Sequence, residues 1–380
     1  MAKAAYIGVN GTARRVKKMW VGIDGVARKV KKAWIGVNGI ARLFFGGGEL
    51  SYYGTATQLS TNMYSMGATS VGNYALFGGG STSSSAVTNV VNAYDNNLTQ
   101  TIPDPLRSGV RYLAATSVGN YALFGGGRAS SSYVSYVTAY DVNLTRTYPT
   151  SLITQVAYLS ATTVGNYALF GGGENNNKSE VYTVNAYDAA LTRSQPSNLS
   201  VVRRDMGATT VGNYALFGGG HNDNDDESNI VDAYNASLTH TNPVALSVAR
   251  GGMGAMSVGN YALFCGGESS SGKAVKDVDV YDNSLTKVSV EPLSVARGVP
   301  TYPPAAGTIG DYALISGGYS ISSYADTVDV YDSSLTHTIT TPMSIARAAH
   351  GAAVIGDYLL FAGGQPYSSA GKIVDVYQVS

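Results

Sequence analysis

Small apolar residues, a tight turn and a run alternating large and small side chains recur along most of this chain, predicting short antiparallel strands. In the clearest instance Met66-Gly67-Ala68-Thr69-Ser70-Val71 reads as one strand and Gly72-Asn73 as a hairpin turn. Tyr74-Ala75-Leu76-Phe77 reads as the partner strand, which ends in the glycine run Gly78-Gly79-Gly80. Glycines there permit positive φ and close backbone approach where the chain leaves the sheet. Val91-Asn92-Ala93-Tyr94-Asp95 reads as a third strand. After a turn at Asp95-Asn96-Asn97, Leu98 to Ile102 reads as a fourth. No stretch carries the 3.6-residue apolar period of a helix.

The unit is repeated. The phrase opening at Gly72 returns at Gly119, Gly165, Gly212, Gly259, Gly310 and Gly356, and the third-strand phrase returns at Val137, Val184, Val231, Val278, Val328 and Val374. Seven units of this length, rich in strand formers, predict an all-β, seven-bladed β-propeller. The last copy stops at its third strand, while a spare strand-like segment, Ser51 to Thr57, precedes the first. That N-terminal segment is expected to complete the last blade and close the ring, protecting its edges.

In its glycine pair after the second strand, its Tyr-Asp ending the third, and the Arg of Ser-Val-Ala-Arg before the first (Arg250 and Arg297, with Arg347 in Ser-Ile-Ala-Arg), residues 51–380 resemble the kelch-repeat family. The pattern departs at the fourth strand, where the kelch Trp is replaced by residues such as Thr147 and Thr241. The resemblance implies the propeller fold. Function does not follow, because the family includes protein-interaction modules and a copper oxidase.

Residues 1–45 follow a different rule and form a separate unit from the propeller of residues 46–380. A 14-residue period places Asn10-Gly11, Asp24-Gly25 and Asn38-Gly39 as hairpin turns, predicting three short β-hairpins. The formal net charge is zero, but residues 1–42 hold ten Lys and Arg against one acid, and the remainder holds fifteen against twenty-four. Some 40 residues of hairpin cannot bury a core of their own. The arm is therefore expected to pair with itself in a homo-oligomer, with the propeller, or with another protein. Tyr6, Trp20 and Trp34, with the cations Arg14, Arg15, Lys17 and Lys18, are the residues assigned to docking. Aromatic residues on hairpins favour a protein partner over nucleic acid. The wording Tyr6-Ile7-Gly8-Val9-Asn10-Gly11 resembles short repeats near the N-termini of structural proteins from phages and prophages of Gram-positive bacteria. That likeness implies a virion component, displayed on the particle surface and docked on other virion proteins by the arm.

In an up-and-down blade the connections after the second and fourth strands share one face. On this chain those connections are diverse and rich in Ser, Asn and Tyr, as adaptable recognition surfaces are. The residues expected to meet a host-surface glycan or protein are Arg128, Tyr133, Glu174, His221, Asp223, Asp225, Glu268, Tyr319 and Tyr367. Arg111, Arg203, Arg250, Arg297 and Arg347 lie before first strands, where they either ring the channel mouth or pair with a neighbouring blade's carboxylates and carbonyls. The acidic run Asp223–Glu227 lacks the spacing of an EF-hand, so no metal is expected there.

Catalysis has little to rest on. Four histidines (His221, His240, His337, His350) sit mostly at non-equivalent places without metal-ligand spacing. The single cysteine, Cys265, replaces a glycine and reads as a small buried filler, unlike the Tyr–Cys and His ligand set of the copper oxidase. No nucleophile elbow or phosphate-binding loop occurs. No cofactor, membrane insertion or signal peptide is expected. The leading expectation is a non-catalytic virion display protein. The alternatives are a cellular kelch-type interaction module and a glycan-cleaving enzyme with paired carboxylates or an arginine triad.

Overall fold

A computed structural model describes residues 48–320 and 322–380, and the backbone of six strands before them. Those six pair as three antiparallel hairpins: Tyr6–Val9 with Thr12–Arg15, Met19–Ile23 with Val26–Val30, and Ala33–Val37 with Ile40–Phe45. Val9 opposes Thr12, Ile23 opposes Val26, and Val37 opposes Ile40, so two residues separate the paired strands of each hairpin, the spacing expected of the Asn-Gly and Asp-Gly pairs. The side chains assigned to docking (Tyr6, Arg14, Arg15, Lys17, Lys18, Trp20, Trp34) lie outside what is described.

The described residues then form seven four-stranded antiparallel sheets, an all-β fold consistent with a β-propeller. Sheet 1 comprises Gly67–Val71, Tyr74–Gly78, Val91–Tyr94 and Gln100–Thr101. Sheets 2 to 7 begin at Ala114–Val118, Ser160–Val164, Gly207–Val211, Gly254–Val258, Ala305–Ile309 and Gly351–Ile355. Sheet 7 takes its fourth strand from the start of the chain, where Leu50–Thr55 pairs with Val374–Val379. No sheet closes on itself. Instead each first strand lies against the first strand of the next sheet, and that of sheet 7 lies against that of sheet 1.

Successive sheets are joined by one recurring backbone hydrogen bond. The second glycine of each pair donates its N–H to a carbonyl just ahead of the next sheet: Gly80 to Val110 (2.6 Å), Gly127 to Val156, Gly173 to Arg203, Gly220 to Arg250, Gly267 to Arg297, Gly318 to Arg347, and Gly364 back to Met63 (2.8 Å). Both glycines of a pair have positive φ, +66° and +103° at Gly266 and Gly267. A Cβ on Gly266 would stand 2.4 Å from the Arg297 carbonyl oxygen. The repeated glycines are therefore a contact requirement as well as a conformational one.

Side-chain packing obeys the same rule. Phe124 of sheet 2 lies 3.0 Å from where Cβ atoms on Gly67 and Gly78 of sheet 1 would stand, and Phe170, Phe217 and Phe264 lie 2.8–3.2 Å from those of Gly125, Gly171 and Gly218. Cys265 occupies the next such position. It is fully buried, and it faces Ile315 where the other sheets present Phe. Burial pushes its thiol up to about 12, as an inert filler requires.

Four of the arginines assigned to the channel mouth are instead buried inside the sheets. Arg203, Arg250, Arg297 and Arg347 are fully buried and pair with Asp232, Asp279, Asp329 and Asp375 on the third strands of their own sheets, at 2.8 Å for Arg250 and 2.6 Å for Arg347. Each guanidinium also reaches a backbone carbonyl, Ile230, Phe264, Thr327 or Phe361. Each aspartate also accepts the backbone N–H of the incoming serine, Ser200, Ser247, Ser294 or Ser344. In sheets 1 to 3 the arginine position holds Met63, Val110 and Val156, and the aspartate position holds Asn92, Thr138 and Asn185. The charges are thus present or absent together. A buried carboxylate without its cation would be strongly unfavourable, whereas a neutral pair such as Asn92 beside Met63 is tolerated.

Two expectations about the fourth strands are corrected. Leu98 lies in the turn before that strand with φ +60°, as do Leu144, Leu191, Leu238, Leu285 and Leu335. Asp95 caps the turn by accepting N–H groups from Asn97 and Thr99, while Leu98 packs onto the core beside it, so the strand shrinks to Gln100–Thr101. His240 and His337 are equivalent rather than scattered: each stands on a fourth strand with Nε2 against the buried aspartate, at 2.6 Å from Asp232 and 2.7 Å from Asp329.

Two substitutions test this construction. Gly266→Ala is expected to lower the unfolding free energy by more than about 1 kcal/mol, and a neutral effect in chemical denaturation would show that the glycine contact is not needed. Arg347→Met alone should cost about 3–5 kcal/mol by stranding Asp375. The double variant Arg347→Met/Asp375→Asn, which copies sheet 1, should recover most of that loss. Equal losses in the single and double variants would refute the pairing argument.

Candidate functional site

The connections entering each sheet lie on the same face as those after its second strand, because they pair with one another. The residue three before the first strand bridges the residue just past the glycine pair: Tyr64 with Ser81, Arg111 with Arg128, Ala157 with Glu174, Arg204 with His221, Gly251 with Glu268, and Ala348 with Gln365. At sheet 6 the same contact is a hydrogen bond from Tyr319 N to Tyr302 O. Five of the residues assigned to ligand contact (Arg128, Glu174, His221, Glu268, Tyr319) therefore occupy one equivalent position, in an inner ring and not at loop tips. All five are buried or half-buried.

One residue further in, a second ring surrounds the axis. Ser65, Tyr112, Tyr158, Asp205, Gly252, Pro303 and Ala349 each stand two residues before a first strand. Ser65, Tyr112, Tyr158, Asp205 and Ala349 have φ between +53° and +59°, uncommon for residues with a side chain. The strain is held by a chain of N–H to O=C bonds: Ala349 to Pro303, Ser65 to Ala349, Tyr112 to Ser65, Tyr158 to Tyr112, Asp205 to Tyr158 and Gly252 to Asp205, all 2.8–3.0 Å. The step from Pro303 to Gly252 is missing, since proline has no N–H to donate. The extra residues of the longest repeat interval, between Gly259 and Gly310, fall at that gap. The ring encloses a cavity of about 200 Å³ over a floor that includes Met66, Leu113, Leu159, Met206 and Met253.

Beside it lies a wider cleft of about 580 Å³ lined by Arg204, His221, Asp225, Glu227, Glu268, Tyr302 and Tyr319. Tyrosines crowd this side of the molecule. Tyr112 and Tyr158 stack with centroids 4.3 Å apart, Tyr302, Tyr319 and Tyr324 meet at 5.0–5.9 Å, and Tyr367, on a four-residue helix (Tyr367–Ala370), stacks on Tyr64. Tyr133 is buried and bonded to Glu174 and Lys178.

Arg204 is the electrostatic centre. Its guanidinium meets Asp205 at 2.6 Å, Glu180 at 2.9 Å and Glu174 at 3.5 Å, and also pairs with Asp225. Lys178 adds a second cation, 2.9 Å from Glu174. Four carboxylates thus share two positive charges. Burial and a hydrogen bond with Asp223 push the Glu180 carboxyl up to about 7, and burial pushes Asp205 to about 6 despite Arg204. Burial, then the nearby Arg204, holds His221 down at about 4, so it is neutral at pH 7.

Two exposed carboxylates of the acidic run of sheet 4 are engaged by neighbours: Asp223 accepts the Glu180 N–H and Asp225 pairs with Arg204. Among the described residues no group of three or more His, Cys, Asp or Glu side chains could hold a metal ion. Arg111, assigned to the same ring as the four buried arginines, is offset by one residue. It aligns with Arg204, is half-buried on this face, and bonds Ser81 and Ser84. Reasoning from the sequence missed Tyr112, Tyr158, Glu180, Arg204, Asp205 and Tyr302. The signal available was side-chain diversity at the positions two and three before each first strand, which a search confined to the loops passes over.

Raised carboxyl pKa values make this cluster oppose the folded state at neutral pH. Glu180 binds its proton more tightly folded (about 7) than an ordinary glutamate does (4.5), so its contribution to stability should rise as pH falls from about 7 towards 4.5. The buried neutral His221 and His350 act in the opposite sense as pH falls, so the Glu180 contribution is read as a difference: between pH 7.5 and pH 5 the thermal midpoint of wild type should rise relative to that of Glu180→Gln. Equal shifts in the two proteins would exclude Glu180 as the source.

No protein-family model and no curated protein matches the sequence. Solved structures do: 626 chains match, so the fold is widely used and the ligand must be argued from the site. One of them, the structure of YjhT, gives a TM-score of 0.60 over 75% of this chain and 99% of its own, at 11% identity. At that identity the likeness carries the fold alone, a propeller-like all-β arrangement of four-stranded antiparallel sheets.

Proposed function

We propose that this chain is a non-catalytic recognition protein, a seven-bladed kelch-like propeller whose loop face binds a glycan or protein on a host surface. Residues 1–45 act as an anchoring arm. The observation that carries the reading is the concentration of tyrosines and charges on one face, around an axial cavity and an adjoining cleft. The opposite face carries near-identical Gly-Asn and Gly-Asp hairpin turns and Asx-capped turns. Aromatic rings on rigid backbone, flanked by charged groups, suit sugar faces and peptide side chains alike. Blade number and closure are supported by the glycine hydrogen bonds running from sheet 1 round to sheet 7 and back to Met63. The basic arm, opposite in sign to the rest of the chain, suits docking on an acidic partner. Its likeness to phage repeats makes a virion protein the partner of choice.

Binding of the full-length protein to intact host envelopes is the test. The double variant Glu268→Gln/Tyr319→Ala should weaken binding at least tenfold, while Asn73→Asp on the opposite face should leave it unchanged. Removal of residues 1–45 should spare envelope binding and abolish incorporation into particles. Release of soluble sugar during incubation would replace recognition by hydrolysis.

A further inference from the structure

Resting on the recognition reading above, we propose that the axial cavity seats a free amino sugar, its ammonium group on the Asp205 carboxylate and its pyranose ring against the Tyr112–Tyr158 pair. Of the seven axial-ring residues Asp205 alone carries a charge; its equivalents are Ser65, Tyr112, Tyr158, Gly252, Pro303 and Ala349. Its Oδ2 accepts from Arg204, while Oδ1 accepts no hydrogen bond among the described residues. Arg204 cannot neutralise it fully, being shared with Glu174, Glu180 and Asp225. A cation is what this corner lacks.

A second polar group with an unpartnered nitrogen borders the same cavity. His350 is more than nine-tenths buried, and its Nε2 lies 2.8 Å from Ser316 Oγ. Ser316 Oγ also lies 3.4 Å from the Ala305 carbonyl oxygen, and the His350 Nδ1 is buried without a hydrogen-bond partner. Burial beside Arg347 keeps the ring neutral. An ammonium brings three N–H donors to such a site, whereas an acetamido group brings one and no charge. The volume, about 200 Å³, falls below the roughly 300–1,000 Å³ of pockets for drug-sized ligands. It suits a single ring with the stacked tyrosine pair on one side and a thioether and leucine floor below.

Asn is the natural replacement for Asp205. It tolerates the left-handed backbone there, φ +53°, and Arg204 retains three other carboxylates. The experiment is calorimetric titration of the full chain with a β-1,4-linked glucosamine oligosaccharide and with its fully N-acetylated counterpart. Wild type should bind the free-amine form at least tenfold tighter at pH 7. Asp205→Asn should lose that preference with its thermal midpoint kept, and should leave any binding of the acetylated form unchanged. The groups facing Asp205 are Arg204, Glu174, Asp225, Tyr112 and Tyr158. With its carboxyl at about 6, affinity for the amine should fall from pH 7 to pH 5 in wild type and stay flat in Asp205→Asn.

Equal affinity for the two oligosaccharides, or a preference that survives Asp205→Asn, overturns the inference. Envelope binding that persists without any glucosamine binding overturns it too but spares the recognition reading. Loss of both sinks both. Binding of a lysine-rich peptide with the same Asp205 dependence, and no sugar binding, would move the site to a protein partner and overturn the amino-sugar assignment.

Discussion

One backbone contact governs this molecule: the N–H of the second glycine in each pair, held against a carbonyl of the following repeat. It exists only if two consecutive residues take positive φ and nothing projects from their Cα atoms towards the neighbouring sheet. Because the donor leaves the second strand and the acceptor precedes the next first strand, the contact fixes spacing and rotation between sheets together. Repeating it seven times returns the chain to Met63. The strand Leu50–Thr55 then does for the last sheet what a fourth strand does elsewhere.

That contact also explains where charge is hidden and where it is displayed. The acceptor carbonyls in sheets 4 to 7 belong to arginines, whose side chains turn into the sheet and meet a third-strand aspartate. Between each acceptor and its first strand lie three residues (seven in sheet 6), two of which bond to the neighbouring connections. These cannot enter the sheet, so they form the bridging ring and the axial ring. The side chains free to vary without disturbing the core are therefore those around the mouth. Tyrosines, Arg204 and Asp205 have accumulated there.

Much of the fold was legible because the repeat states it seven times: the strand pattern, the turns, the unfinished last copy and its spare strand all follow from residues in plain order. Legibility stopped where meaning depends on a one-residue offset. Arg203 and Arg204 are adjacent and chemically alike, yet one is fully buried as a structural ion pair and the other organises four carboxylates at the surface. Arg111 looked like the former but aligns with the latter, because Val110 stands in the buried position of sheet 2. The reading of Leu98 as strand failed for a related reason. A leucine in the left-handed region is unfavourable in isolation and becomes acceptable only when the core beside it takes up the side chain.

The departures from repetition carry the functional information. A ring of identical repeats would present the same group at every axial position and could recognise only a ligand of matching symmetry. Here the axial ring runs from Ser65 through two stacked tyrosines to Asp205 and then to Gly252, Pro303 and Ala349, so one half is polar and aromatic and the other small. The break in the hydrogen-bonded ring falls within the small half, at a proline that cannot donate and at the longest interval between repeats. The positions that remain regular are the ones the glycine contact requires. Those that differ face a cavity and a cleft, as they would if selection had acted on what enters there and not on the scaffold.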